Sequence, residues 1–463
     1  MGSTDGMPVA RTARWLPAAA AVAVAAWGAN QFTALATVYR ARTDWSALSL
    51  AAMFSVYLVG LVPGLLLGGP AADRYGRRRT VRGALGLSAA ASVLLALPDE
   101  PSVYAARLAT GFAAGLVFLA GTTWLRELSG PAVPPEQAAR RAVYATGTGF
   151  AAGALASGVL AEWLPGPTVL PALAHALGCL LVLRATRRLP ETARSRRHGP
   201  PPHRTAAVRH PRFRYVVLPA SPAVLGAATV AYVVLPPLVA DRVPGYAPLF
   251  SGLVAALTLA TGVVAQPFAA RLDDANSARA TLTAMATVIA GLLLGALAAA
   301  RDSVGLVVLA ALVLGTGYGL TLGAGLHEVE RLTPRSSGPT SASLYQSTTS
   351  SGFLTPLLLA GTAGHASYPA LLAGMAAVGL LCLAVTAAHS RRHLPAGGHG
   401  ERRDHGAWEA RGEHGKPRTR EDASVESTPT ESTPTESAPA ESTPAESAPT
   451  GPTPPRSRRP WAE

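Results

Sequence analysis

The stretch Gly69-Pro70-Ala71-Ala72-Asp73-Arg74-Tyr75-Gly76-Arg77-Arg78-Arg79 decides the fold of this chain. An apolar run over 46–69 precedes it and another over 80–97 follows, each close to the twenty or so residues that carry a helix across a bilayer. Asp73 falls at a helix C-terminus, where a carboxylate opposes the macrodipole and needs compensation from arginines or from another helix's N-terminus. Gly76 permits a tight turn into the next helix, and the arginines hold the loop at one face of a membrane. An ion-paired hinge here would lock one conformation and release it in another. The plainer alternative is a topogenic basic loop with an incidental Asp73.

The composition of the whole chain points the same way. Of its 463 residues, 49% are hydrophobic, 6% aromatic and only 14% charged, where an average soluble domain carries about 25% charged residues. The mean hydropathy is +0.26. An ordinary cytosolic enzyme is excluded, and so is a chain disordered over most of its length. The 46 Gly and 39 Pro show no Gly-X-Y period, which excludes collagen. Cys179 and Cys382 sit in apolar runs with no disulfide or zinc spacing. The chain reads as an integral membrane protein, all-α.

Twelve spans are expected, near 15–39, 46–69, 80–97, 102–124, 141–162, 168–189, 215–240, 248–270, 280–300, 304–326, 342–362 and 367–389. The first is too long for a signal-peptide core and eleven more follow it. The net charge of +13 is not a nucleic-acid footprint, because the arginines are scattered in short loops rather than gathered in a patch. Arg11, Arg14, Arg74, Arg77, Arg78, Arg79, Arg82, Arg126, Arg140, Arg141, Arg271, Arg279, Arg331 and Arg335 share one side with the Arg-rich 187–214 connection. Arg40, Arg42, Arg242 and Arg301 fall on the other. The positive-inside rule then places both termini in the cytoplasm of a multi-pass protein of the inner (plasma) membrane.

The expected organisation is a cytoplasmic N-terminus over 1–14, a six-helix bundle over 15–189, a cytoplasmic linker over 190–214, a second six-helix bundle over 215–389, and a tail over 390–463. An echo relates the bundles: Pro70-Ala71-Ala72-Asp73-Arg74-Tyr75 resembles Pro267-Phe268-Ala269-Ala270-Arg271-Leu272 at the end of each half's second span. Repeats of this kind mark secondary transporters. The tail repeats Glu-Ser-(Thr/Ala)-Pro-(Thr/Ala) five times from Glu426 to Thr450, and Pro at every fifth position forbids a continuous helix. It reads as a disordered cytoplasmic extension.

At Gly69, Asp73, Arg74, Gly76, Arg77 and Arg78 the chain resembles the major facilitator superfamily, whose loop signature is Gly-x-Leu-(Ala/Ser)-Asp-Arg-x-Gly-Arg-(Arg/Lys); Ala71 stands at the Leu position. The resemblance implies two six-helix bundles, a central cavity and rocker-switch alternating access. Pro190-Glu191-Thr192 resembles the signature that ends the superfamily's first half.

Arg107, inside span four, is a functional candidate on cost alone, since an intramembrane arginine is expensive. A snorkelling arginine near an interface is the structural alternative. The resemblance associates this arginine with proton transfer in proton-coupled members, with Thr110 here at the position of the usual Gln. Span five carries Gly147, Gly149, Gly153 and Gly158. It resembles the motif of drug/proton antiporter-type exporters, with Ala154 in place of Pro, and reads equally as a small-residue packing seam. Asn30 and Gln31 interrupt span one in a segment resembling that of exporter-like members found in actinobacteria; they either hydrogen-bond a substrate in the cavity or cross-link helices. His175, Gln266, Gln346 and His365 read as packing residues, and Asp44 and Glu162 as interfacial.

Walker loops, His-Glu-x-x-His and Gly-x-Ser-x-Gly elbows are absent from the sequence, so neither ATP-driven transport nor hydrolytic or metal catalysis is expected, and no cofactor. The function expected is secondary transport by alternating access: proton-coupled efflux of a small, partly apolar molecule. The alternatives are a metabolite importer or facilitator of the same fold, and a transporter-like sensor signalling through its tail.

Overall fold

The computed structural model describes residues 14–192, 210–274, 276–332 and 340–392. Six helices make the first half: α1 (Trp15–Arg42), α2 (Ala47–Tyr75), α3 (Arg77–Leu95), α4 (Glu100–Leu128), α5 (Pro135–Trp163) and α6 (Val169–Arg188). Six more make the second: α7 (Phe213–Leu238), α8 (Ala247–Ala265), α9 (Arg279–Arg301), α10 (Val304–Leu332), α11 (Thr340–Ser350 and Thr355–Thr362, joined by a 3₁₀ turn at Ser351–Leu354) and α12 (Tyr368–His389). Ten of the twelve are long and apolar enough to cross a membrane by themselves. The exceptions have evident causes: α3 opens on Arg77, Arg78, Arg79 and Arg82, and α11 is rich in Ser and Thr and interrupted before Pro356.

Local signals set the ends. Ser46 caps α2 by accepting from the Ser49 N–H, and Asp99 caps α4 by accepting from the Ser102 N–H, each satisfying a donor that the first turn leaves open. Gly76 alone separates α2 from α3 at φ +93°, and a Cβ there would lie 2.4 Å from Glu191 Oε2. Only glycine fits that corner. Span eight does not run through 270 as the sequence suggested. It stops at Ala265 and resumes as the short helix Phe268–Leu272, because Pro267 lacks the N–H that would continue the ladder. In contrast, α5 begins at Pro135 and α10 reaches Leu332, past the apolar boundaries 141 and 326. The polar turns added by these extensions stand on the basic-rich face. Residues 210–214, expected in the linker, already fold against the bundle; 193–209, the N-terminal 1–13 and the repeat tail beyond 392 lie outside the described residues.

Glycine determines how closely the helices pack. A Cβ on Gly111 would lie 2.1 Å from Tyr57 O, and one on Gly115 2.5 Å from Leu61 O, so α4 rests directly on the backbone of α2. The second half repeats the contact: Cβ atoms on Gly315 and Gly319 of α10 would lie 2.4 Å from Thr258 O and 2.1 Å from Gly262 O of α8. Small residues at four-residue spacing allow this approach in a bilayer. The same device on the fourth and second helix of each half extends the sequence echo into the packing. Between halves, α5 packs on α8, where a Gly158 Cβ would meet Gly252 Cα at 3.2 Å. On the other seam, α2 meets α11, with Ser55 donating to Phe353 O at 2.9 Å.

Candidate transport path

On the basic-rich face the six loop-motif residues fall into two groups. Arg77 and Arg78 are tied down: Arg77 Nε donates to Glu127 Oε2 at 2.6 Å, and Arg78 Nη1 donates to Leu189 O at 3.1 Å. Their backbone N–H groups donate to the Glu191 carboxylate at 2.8 and 3.1 Å. Glu191 thus serves as the anion at the N-terminus of α3. Asp73 and Arg74 are exposed, with Gly69 beside them on the last turns of α2 and Gly76 buried at the corner. Asp73 stands 3.5 Å from Arg77 with 67% of its side chain accessible, and an exposed pair of that kind is worth at most about 1 kcal/mol. The principal partner of Arg77 is Glu127, fifty residues away, which also accepts from the Thr192 hydroxyl. Sequence spacing offered no sign of this pair.

The second half carries its own ion pairs on the same face. Arg212 donates through Nε and Nη2 to both carboxylate oxygens of Glu328 at 2.7 Å, and through Nη1 to Ser390 O at 3.1 Å. Both side chains are buried, at 0% and 3% exposure. Arg331 pairs with Asp273 and also donates to Asp274 O. The Asn276 N–H and Ser277 hydroxyl hold the Asp274 carboxyl below the usual carboxylate range. Arg126 on α4 interacts electrostatically with Glu330 on α10, from one half to the other.

In the third turn of α4, toward its cavity-face end, Arg107 is 1% exposed and does not snorkel. It donates to Ala29 O, Met53 O and Phe54 O at 3.2, 3.3 and 3.4 Å. Its guanidinium carbon lies 4.9 Å from the Phe32 ring centroid, 4.8 Å from Tyr57 and 5.7 Å from Phe54. Carbonyl dipoles and aromatic faces stabilise the cation. Among the described residues it has no carboxylate partner.

Gln31 faces into its own bundle, where Nε2 donates to Ser92 Oγ at 3.0 Å. Ser92 meets His175 Nδ1 at 2.6 Å, and His175 Nε2 meets Val24 O at 2.9 Å. Because Val24 O only accepts, the proton sits on Nε2, and the Ser92 hydroxyl donates to Nδ1. His175 is therefore a fully used packing residue on α6. Asn30 is buried beside Ala29, and its Nδ2 has no hydrogen-bond partner. Gly149 and Gly153 of α5 pack on Ala23 and Trp27 of α1, while Gly158 and Gly147 face Gly252 and Val263 of α8.

The opposite face holds a cavity of about 170 Å³ between the halves. Thr33, Thr37, Arg40, Leu50 and Phe54 line it from the first half, with Val233, Leu238, Ser251, Pro356 and Tyr368 from the second. Neither Asn30 nor Gln31 lines it; Thr33, three residues beyond Asn30, does. Two related helical halves with a cavity between them toward one face match the architecture of an alternating-access carrier.

Residues 18–355 match the family model of the Major Facilitator Superfamily. The chain belongs to this superfamily. It is 40% identical over 80 residues to the 3-(3-hydroxy-phenyl)propionate transporter of Escherichia coli (strain K12), a match spanning 17% of this chain and 20% of that protein. Among solved structures, a POT family transporter in complex with 5-aminolevulinic acid superposes with a TM-score of 0.68 at 12% identity, covering 84% of this chain and 98% of that one. The nucleoside transporter NupG gives 0.64 at 14%, covering 81% and 98%. A D-xylose-proton symporter gives 0.61 at 16%, covering 82% and 97%. At such identities these likenesses show the superfamily's fold. The chain is thus a multi-pass membrane protein and a secondary transporter of that fold.

Proposed function

We propose that this transporter carries a small, partly apolar solute across the plasma membrane, its two halves exposing one central path to each side in turn. The observation that carries the reading is the asymmetry of the path. Contacts join the halves toward both faces, with α2 lying against Thr340–Ser350 and against Thr355–Thr362, and the cavity lies on the face opposite the basic-rich one. The positive-inside rule puts the basic-rich face and both termini in the cytoplasm, so the cavity faces outward. In this reading the Asp73, Arg74 and Arg77 corner, with Glu127, latches the cytoplasmic side, and Arg107 carries charge coupling inside the bundle.

Export in exchange for protons is the direction supported by span five, whose Gly149, Gly153 and Gly158 form a close seam with α1 and α8. Uptake of a metabolite is the second reading; the matched relative is named a 3-(3-hydroxy-phenyl)propionate transporter. Inverted membrane vesicles energised to an acidic lumen decide between them. A solute that dissipates the pH gradient only when the intact chain is present establishes proton-coupled export. Equilibration of a labelled solute with no proton movement removes the antiport reading and keeps the carrier. Deleting 393–463, which spares the Ser390 contacts to Arg212 and Ala278, should leave flux intact; a sensor signalling through its tail would lose its output instead.

A further inference from the structure

The outward cavity has a chemistry that narrows the substrate, and the inference rests on the reading of this cavity as part of the transport path. Its charged lining is one-sided: Arg40 is exposed at the mouth, and no Asp or Glu lines the cavity. Arg40 has no ion-pair partner among the described residues. Behind the Phe54 wall sits a second cation, Arg107, buried and likewise without a carboxylate. Arg40 at the mouth and Arg107 behind the wall put positive charge at the cavity, whose described lining holds no carboxylate.

Among the described residues that line the cavity, one buried side-chain polar atom is unpartnered. Thr33 lines the cavity at 3% exposure, and its hydroxyl has no hydrogen-bond partner. A helical threonine usually bonds the carbonyl four residues back; for Thr33 that is Ala29 O, which accepts from Arg107 at 3.2 Å. The neighbouring Thr37 hydroxyl is occupied with Ala34 O and the Ser251 hydroxyl with Thr33 O. An unpaired buried hydroxyl carries a desolvation penalty that a ligand acceptor or donor would relieve. The remaining wall is apolar: Leu50, Phe54, Val233, Leu238 and Pro356. The volume of about 170 Å³ is suited to a single ring, since apolar cavities of about 150 Å³ take up benzene.

We infer that the cavity bounded by Thr33, Arg40 and Phe54 binds a small single-ring monocarboxylate. The ring lies against Phe54, Leu50 and Pro356, the carboxylate pairs with Arg40, and the Thr33 hydroxyl takes the remaining hydrogen bond. Arg40 and Thr33 are the groups that select for the anion.

The test is equilibrium binding of benzoate and cyclohexanecarboxylate to the full chain in lipid nanodiscs, with benzamide and benzylammonium as neutral and cationic matches, alongside flux of the same compounds in proteoliposomes. Saturable binding of a carboxylate is expected, with the neutral and cationic compounds weaker by about tenfold or more. Arg40→Gln should weaken carboxylate binding by about tenfold and Arg40→Lys by less, because Arg40 is exposed and both variants fold. Thr33→Val, which keeps shape and removes the hydroxyl, should weaken it several-fold. Equal binding of the neutral or cationic compound, no saturable binding of either carboxylate, or an Arg40→Gln variant of unchanged affinity would each overturn the inference. Binding without flux would fail the transport reading and leave the ligand class standing. Flux of some other solute with no carboxylate binding would do the reverse.

Discussion

Gly111→Ala adds one methyl group and should damage both stability and transport. The new Cβ would lie 2.1 Å from Tyr57 O and 3.0 Å from Leu61 N, where ordinary contact begins near 3.4 Å. Both obstacles are backbone, so relief requires α4 to move off α2 by about 1 Å, and overpacking of this kind costs roughly 1–3 kcal/mol. One turn away, Arg107 holds Met53 O and Phe54 O at 3.3 and 3.4 Å. The same displacement takes both bonds past about 4 Å, where they cease to exist. Loss of bonds from a charged donor raises the total to about 3 kcal/mol, or a fall of roughly 3–4 °C in the unfolding midpoint of a chain this long. The control is Gly83→Ala on α3, whose Cβ meets nothing within 4 Å and which should leave the midpoint unchanged or slightly raised. Thermal unfolding of the purified protein in detergent reads both. A Gly111→Ala protein melting with the Gly83→Ala control would refute the claim that α2 and α4 are in backbone contact.

Three further outcomes follow from the geometry. Arg107→Leu should keep the protein folded, because it removes a buried charge that no carboxylate compensates together with its three carbonyl bonds. It should nevertheless abolish flux, and transport equal to the unaltered protein would remove Arg107 from the mechanism. Arg212→Leu alone should destabilise by about 3–5 kcal/mol by orphaning Glu328, while the double variant with Glu328→Leu recovers most of the loss; a denaturation cycle without that recovery would sink the pair's importance. The depressed Asp274 carboxyl stabilises its turn above the unfolded-state value of about 3.9 and loses that contribution as pH falls through the lower folded value. The protection factor of the Asn276 amide, measured against its intrinsic exchange rate, should therefore stay high at neutral pH and fall only in strong acid, and Asp274→Asn should lower it at neutral pH.

The all-helical membrane fold and the superfamily were both legible in the order of residues. Each depends on apolar length, on breaks at Gly and Pro, and on the positions of charge, which are properties of short consecutive segments. The loop motif was legible for the same reason, since Gly76, Arg77 and Arg78 act within one turn. Which groups face one another emerged only from the packed helices. Glu127 displaced Asp73 as the main partner of Arg77, and Arg212 found Glu328 116 residues away. Gln31 turned into its bundle toward Ser92 while Thr33 reached the cavity. These outcomes depend on the rotation of each helix about its axis and on how near two backbones approach. Both are set by glycines and carbonyls on separate helices, whose pairing no local pattern records.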